Sequence, residues 1–245
     1  MRSAYREELQ SLAIDLIHMS DHVTDMMDVA SDALLKADLD KAEQVLESID
    51  KVEDLRRKAE SSAFSLLALE SPVASDLRRI VAGLHIIDDF ARMGALAVHI
   101  ANIARRRHPI NAVPEDIRGY ITEMERLASD NCQKLKKILR NPDVECALQL
   151  ALDDDAIDDI HHHLFQLTTT RPWKHSVREA VDTTQISRFL ERFSDHAVEI
   201  AGQVVYMVTG MYPEEYQASQ RTEEKNREIK LQFDEISRRY ADPWD

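Results

Sequence analysis

Phe90-Ala-Arg-Met-Gly-Ala-Leu-Ala-Val-His-Ile-Ala101 and, one hundred positions on, Leu190-Glu-Arg-Phe-Ser-Asp-His-Ala-Val-Glu-Ile-Ala201 are one segment written twice. Arg92 answers Arg192, Ala97-Val98 answers Ala197-Val198, and Ile100-Ala101 answers Ile200-Ala201. The register reaches further out: Pro72 answers Pro172 at the same spacing, and Asp50-x-Val52-Glu53-x-Leu55 meets Asp155-x-Ile157-Asp158-x-Ile160 at a spacing of 105. The five-residue difference falls in the connection between those stretches, so the chain is an internal duplication. Its copies differ chemically at two places. Glu191 and Asp195, one helical turn apart, stand where the first copy has Ala91 and Ala95.

Apolar residues recur at three- and four-residue steps, as in Leu9, Leu12, Leu16, Met19, Val23, Met26, Ala30 and Leu34, which is the spacing of one buried helical stripe. Strand-like alternation is absent. Seven prolines punctuate these stretches from outside, as suits a residue that breaks helix interiors. The first unit reads as a helix over residues 1–36, a turn at Lys36 to Asp40, a second helix through Leu69, and a third from Val73 to Arg107. That third helix closes on Arg105-Arg106-Arg107, cations where a helix C-terminus favours them. The second unit opens at Pro114-Glu115-Asp116, ends its first helix near Arg140-Asn141-Pro142, and continues with helices over 144–170 and 174–210. Gly210 is placed to cap the last of these. The expected fold is all-α: two tandem, pseudo-repeated three-helix bundles over residues 1–108 and 114–213. A charged extension, 214–245, follows, with Ile229, Phe233, Ile236 and Tyr240 on one face of a short helix that packs back on its bundle or docks on a partner.

A formal charge of −14 argues against nucleic acid, whose phosphates need a basic face. No apolar run approaches the ~20 residues that span a bilayer, and Met1-Arg-Ser-Ala-Tyr-Arg-Glu-Glu-Leu9 lacks the apolar centre of a secretion signal, so a cytoplasmic location is expected. Cys132 and Cys146 have no metal-ligand spacing, suit a reducing compartment, and read as packing residues.

Carboxylates carry the chemistry. Asp155, Asp158, Asp159 and His162 fall at i, i+3, i+4 and i+7 of the fifth helix, sharing one stripe. Like charges so placed repel by roughly 0.2–0.5 kcal/mol per pair unless cations offset them. Glu191 and Asp195 repeat the spacing on the sixth helix, antiparallel to the fifth across the Pro172 turn. Where the two pairs face each other, they form an oxygen site suited to Mg²⁺, Mn²⁺ or iron. The alternative is a solvated face with Glu191 paired to Arg188 or Arg192. In the first unit Asp50, Glu53 and Asp54 repeat the pattern but confront Ala91 and Ala95, and Asp88-Asp89 substitute for them imperfectly. His161-His162-His163 cannot converge on one ion, because successive helical residues point about 100° apart. No glycine-rich phosphate loop, nucleophile elbow or Cys-His pair is present. A metal-dependent hydrolase or oxidase using Asp155, Asp159, Glu191 and Asp195 is the competing reading.

These residues resemble the PhoU family. Leu190-Glu191-Arg192-Phe193-Ser194-Asp195-His196-Ala197 is similar to its repeated Leu-Glu-Arg-Ile-Gly-Asp-His-Ala signature, and Pro72-Val73-Ala74-Ser75-Asp76-Leu77-Arg78 to its Pro-x-x-x-Asp-Leu-Arg segment. The likeness covers residues 1–212 or so. It implies a negative regulator of phosphate uptake and phosphate-starvation signalling, without catalytic activity. Such a regulator stands between the ATPase subunit of a phosphate ABC transporter and a sensor histidine kinase, meets the membrane through those partners, and leaves a homodimer open. It further implies a divalent metal or iron at one site, held by Asp155, Asp159, Glu191 and Asp195 with Asp158 and His162 beside them. In the first bundle, Asp50 and Asp54 would keep half of a degraded site.

Overall fold

The computed structural model describes the backbone of residues 2–70 and 72–240 and the side chains of residues 5–68 and 72–232. Among the described residues there are seven helices and no strand: α1 Arg2–Lys36, α2 Leu39–Glu70, α3 Ser75–Arg107, α4 Arg118–Arg140, α5 Val144–Thr169, α6 Val177–Thr209 and α7 Pro213–Tyr240. At about 1.5 Å per residue the longest of them run near 50 Å. α1, α2 and α3 pack on one another as the first bundle, α4, α5 and α6 as the second. The bundles meet along α3 against α6, the most extensive helix pair in the molecule, and along α1 against α4.

Local chemistry sets the boundaries. α3 begins at Ser75 rather than Val73 because Ala74 has φ 48, a left-handed backbone that a helix cannot include. α4 begins at Arg118 because the Pro114 carbonyl takes both Ile117 N–H and Arg118 N–H at 3.0 Å, spending residues 114–117 on a turn. Ser176 caps α6: its hydroxyl accepts from Glu179 N–H at 3.2 Å while the Glu179 carboxylate accepts from Ser176 N–H at 2.9 Å. Gly210 ends α6 with φ 79, as the sequence suggests, and the Arg78 guanidinium of α3 lies across it.

The cores follow the stripes. Met19, Val23, Met26, Ala30 and Leu34 of α1 close against Val52, Ala59 and Leu66 of α2 and Ile86, Phe90, Met93 and Ala97 of α3. α2 and α3 cross closely at Gly94, where a Cβ would meet Val52 Cγ2 at 3.3 Å and Ile49 Cδ1 at 3.4 Å. Cys132 is buried in the second bundle, its thiol pushed up to about 12 by desolvation. Cys146 is not a packing residue: it is exposed in the first turn of α5, where Asp143 accepts its N–H at 3.0 Å.

Between the bundles the seam is partly polar. Arg107 of α3 lies 3.3 Å from Asp182 of α6, both nearly buried, and Lys136 and Arg140 of α4 reach Asp21 of α1. Glu125 of α4 sits against α1 beside Ser31, Asp28 and Asp32. The extension is a 28-residue helix rather than a short one, and among its described side chains few pack back on the bundle. Tyr216 touches the core, but every side chain from Gln220 to Gln232 is exposed, Ile229 included. Phe233, Ile236 and Tyr240 have side chains outside the described residues. Among the described residues no helix is long and apolar enough to cross a membrane.

Candidate functional site

Ala147, Leu150, Ile157 and Leu164 are the buried apolar residues of α5 and fix which side of it meets α6. Asp154, one position before the predicted acidic stripe, falls on this inner side and is buried. It joins Asp158 and Asp195, each bringing a carboxylate oxygen to within 4.8 Å of the others. Glu191 lies against the same group, near enough for Asp195 and Asp158 to act on its charge. The structure thus gathers Asp158, Glu191 and Asp195 of the sequence-predicted set. Asp155 and Asp159 stand on the exposed side of α5, outside the converging trio, although the charge of Asp155 reaches Asp154 and Asp158. His162 is exposed and shares a hydrogen bond with Gln166 at 2.8 Å.

The three histidines diverge as helical geometry requires. His161 turns inward and meets Ser187 Oγ at 2.9 Å, while His163 rests on the Tyr120 ring at 5.1 Å. Burial and the neighbouring Arg188 lower the His161 imidazole below its ordinary range.

The site is short of cations. Burial pushes Asp154 up to about 6, with Asp158 and Asp195 adding to the rise and Ser194 opposing it. Asp158 and Glu191 are raised as well, first by burial and then by Asp195. Arg188 donates to Glu191 Oε1, but Glu191 Oε2 is buried with no hydrogen-bond partner. Asp154 is anchored from behind: Ser194 Oγ and Asn131 Nδ2 donate to its Oδ1, Asn131 at 3.2 Å, and Asn131 also reaches Ser194 Oγ at 2.9 Å. Open carboxylate oxygens facing one another, an orphaned buried Oε2 and oxygen-only donors are a donor set that fits a hard divalent ion.

In the first bundle the equivalent region is neutralised by protein. Arg56 reaches Glu60 at 2.9 Å, Glu53 at 3.5 Å and Asp88 of α3 at 3.9 Å. Asp54 pairs with Arg57 at 2.7 Å on the surface, Asp50 is exposed, and Ala91 and Ala95 offer no ligand. The repeat register extends this contrast inward, for Ile49 and Gly94 stand where the second bundle has Asp154 and Ser194. A tight apolar crossing in one copy is a hydrogen-bonded polar one in the other.

Asp154, Ser194 and Asn131 are absent from the sequence-predicted set. The signal for Asp154 is its spacing, i+4 from Leu150 and i−3 from Ile157, which sets an acid among core positions. For Asn131, on another helix, there is no local signal.

Comparison with known proteins agrees with this duplicated architecture. The PhoU domain family matches residues 16–104 and again 121–204. The phosphate-specific transport system accessory protein PhoU homolog 2 of Mycobacterium tuberculosis is 48% identical over 213 residues, covering 87% of this chain and 100% of that protein. PhoU homolog 1 of Mycobacterium leprae is 45% identical over 215 residues, 88% of this chain and 97% of its own. Among solved structures, PhoU from Pseudomonas aeruginosa superposes with a TM-score of 0.77 at 25% identity, covering 84% of this chain and 100% of that one. The duplicated helical unit, its signature segments and these likenesses together place the chain in the PhoU family.

Proposed function

We propose that this protein is a non-catalytic negative regulator of phosphate uptake and phosphate-starvation signalling, an adaptor between the ATPase subunit of a phosphate ABC transporter and a sensor histidine kinase. The observation that carries this is the 48% identity spanning the whole of a relative named as an accessory protein of a phosphate-specific transport system. The architecture suits the role. Two rigid bundles joined side by side offer separate faces to two partners, and an adaptor that binds one kinase state more tightly than the other shifts its population without chemistry of its own. The location that follows is cytoplasmic, with membrane contact made through the partners.

The α5–α6 carboxylates serve this role as a metal site. Asp154, Asp158 and Asp195, with Glu191 beside them, would hold a divalent ion, with Asp155 and Asp159 at the exposed rim. A bound ion would supply the positive charge the cluster lacks, and these residues would then hold α5 against α6.

The test is recovery of partners by the tagged full chain from host cytoplasm and detergent-solubilised membrane, read by mass spectrometry. Enrichment of the phosphate-transporter ATPase and a sensor histidine kinase is expected. Recovery of neither by folded, full-length protein overturns the reading.

A further inference from the structure

A second group of donor atoms lies where α6 meets α3, at the seam between the bundles. His196 of α6, 2% exposed, directs its ring nitrogen Nδ1 at Asp89 Oδ1 of α3 and at Glu199 Oε2 of α6, both at 3.1 Å. Asp89 is also buried, whereas Glu199 reaches solvent. These three donor atoms lie within 4.8 Å of one another. One imidazole nitrogen carries at most one proton, and here two carboxylates from two helices compete for it.

The group opens onto a cleft of about 440 Å³ between α3, α6 and the start of α7. Asp88, Asp89, Glu199 and Glu214 line that cleft, with Arg92 as the one Lys or Arg among its lining residues and Asp88 also reaching Arg56 at 3.9 Å. The cleft therefore attracts cations, admits them from solvent, and has room for the waters that complete a coordination shell.

Packing does not demand this arrangement. The hundred-residue register carries Asp89 to Phe189, Glu199 to His99 and His196 to Leu96. In that other half of the seam, His99 and Phe189 stack with ring centres 5.1 Å apart and planes 25° apart. The same α3–α6 contact closes there with rings and an aliphatic side chain, so the acid–imidazole–acid set is a local departure from what the seam requires.

We propose that Asp89, His196 and Glu199 form a transition-metal site that ties the two bundles together, distinct from the α5–α6 carboxylates. The ion takes Nδ1 of the neutral imidazole, whose one proton then sits on Nε2, with Asp89 Oδ1 and Glu199 Oε2 as further ligands and water toward the cleft. The imidazole selects a first-row dication of the Zn²⁺ or Co²⁺ type over Mg²⁺, which prefers oxygen alone. Since Asp89 belongs to one bundle and the other two ligands to the other, occupancy stabilises the juncture rather than either bundle.

The test uses the full chain with Asp158→Asn and Glu191→Gln, which disable the α5–α6 cluster, titrated with Co²⁺ and followed by its visible absorption. One equivalent of Co²⁺ is expected, displaced by Zn²⁺ and not by Mg²⁺, with a Tm that rises on loading. Adding Glu199→Gln should weaken Co²⁺ binding by about tenfold or more and remove the Tm rise. Its exposed side chain makes it harmless to the core, which circular dichroism checks, and buried His196→Gln is read beside it. Absence of a Co²⁺ band, or equal affinity with and without Glu199→Gln, overturns the proposal.

Discussion

Positions 56 and 161 are related by the 105-residue register, and in the first bundle the side chain is Arg56, in the second His161. Arg56 brings a permanent charge to Glu53, Glu60 and Asp88, whereas burial lowers the His161 imidazole toward its neutral form and leaves Asp154, Asp158, Glu191 and Asp195 to share Arg188, which pairs with Glu191. The bundles should therefore differ in bound metal. Elemental analysis after dialysis against Mn²⁺ should show less metal in Asp158→Asn with Glu191→Gln than in wild type, and no loss in Asp50→Asn with Asp54→Asn. Equal content in all three contradicts the assignment. At this scale the sequence was half legible. The i, i+4 spacing of Glu191 and Asp195 pointed to carboxylates that α6 brings toward α5, but an acidic run of five within Asp153 to Asp159 does not say which members turn inward. That is decided by Leu150, Ile157 and Leu164, which rotate Asp154 and Asp158 toward α6 and Asp155 and Asp159 away.

Among the elements, six helices and their order follow from apolar period and proline placement, since both act locally. What the sequence misplaced were first turns: Ala74 and Pro114 look compatible with helix, and the backbone path of the α2–α3 and α3–α4 connections excludes them. α7 was underestimated because its charged face gives no buried stripe to follow, yet it is helical from Pro213 to Tyr240. The Gly210 cap is the clearest local device. Its φ of 79 and the Arg78 guanidinium, 3.1 Å from where a Cβ would stand, both oppose a side chain. Gly210→Ala should lower stability by about 1–2 kcal/mol in urea denaturation, from the left-handed strain alone. Ser176→Ala, which removes half of the capping box, should cost about 1 kcal/mol. A Gly210→Ala protein as stable as wild type would show that the α6 terminus is held by other contacts.

For the molecule as a whole, the seam between bundles is where charge and stability meet. Burial against α1 pushes the Glu125 carboxyl up to about 8 from 4.5, with Asp32 and Asp28 adding to the rise and Ser31 opposing it. Between those values the folded chain holds a proton that the unfolded chain has lost, so this contribution to stability is fully present below pH 4.5 and disappears as pH rises through about 8. Glu125→Gln keeps the neutral shape. It should match wild type at pH 5 and exceed it at pH 9 by on the order of 2 kcal/mol, roughly 4–8 °C in Tm. An equal response at both pH values would mean that Glu125 is not held neutral at the seam. The proposed adaptor role belongs to this scale, and its most direct test is genetic. In a host stripped of every PhoU gene and carrying a phosphate-starvation reporter, this chain alone should restore repression at high phosphate. A reporter that stays on, although the chain accumulates in folded form, contradicts the account.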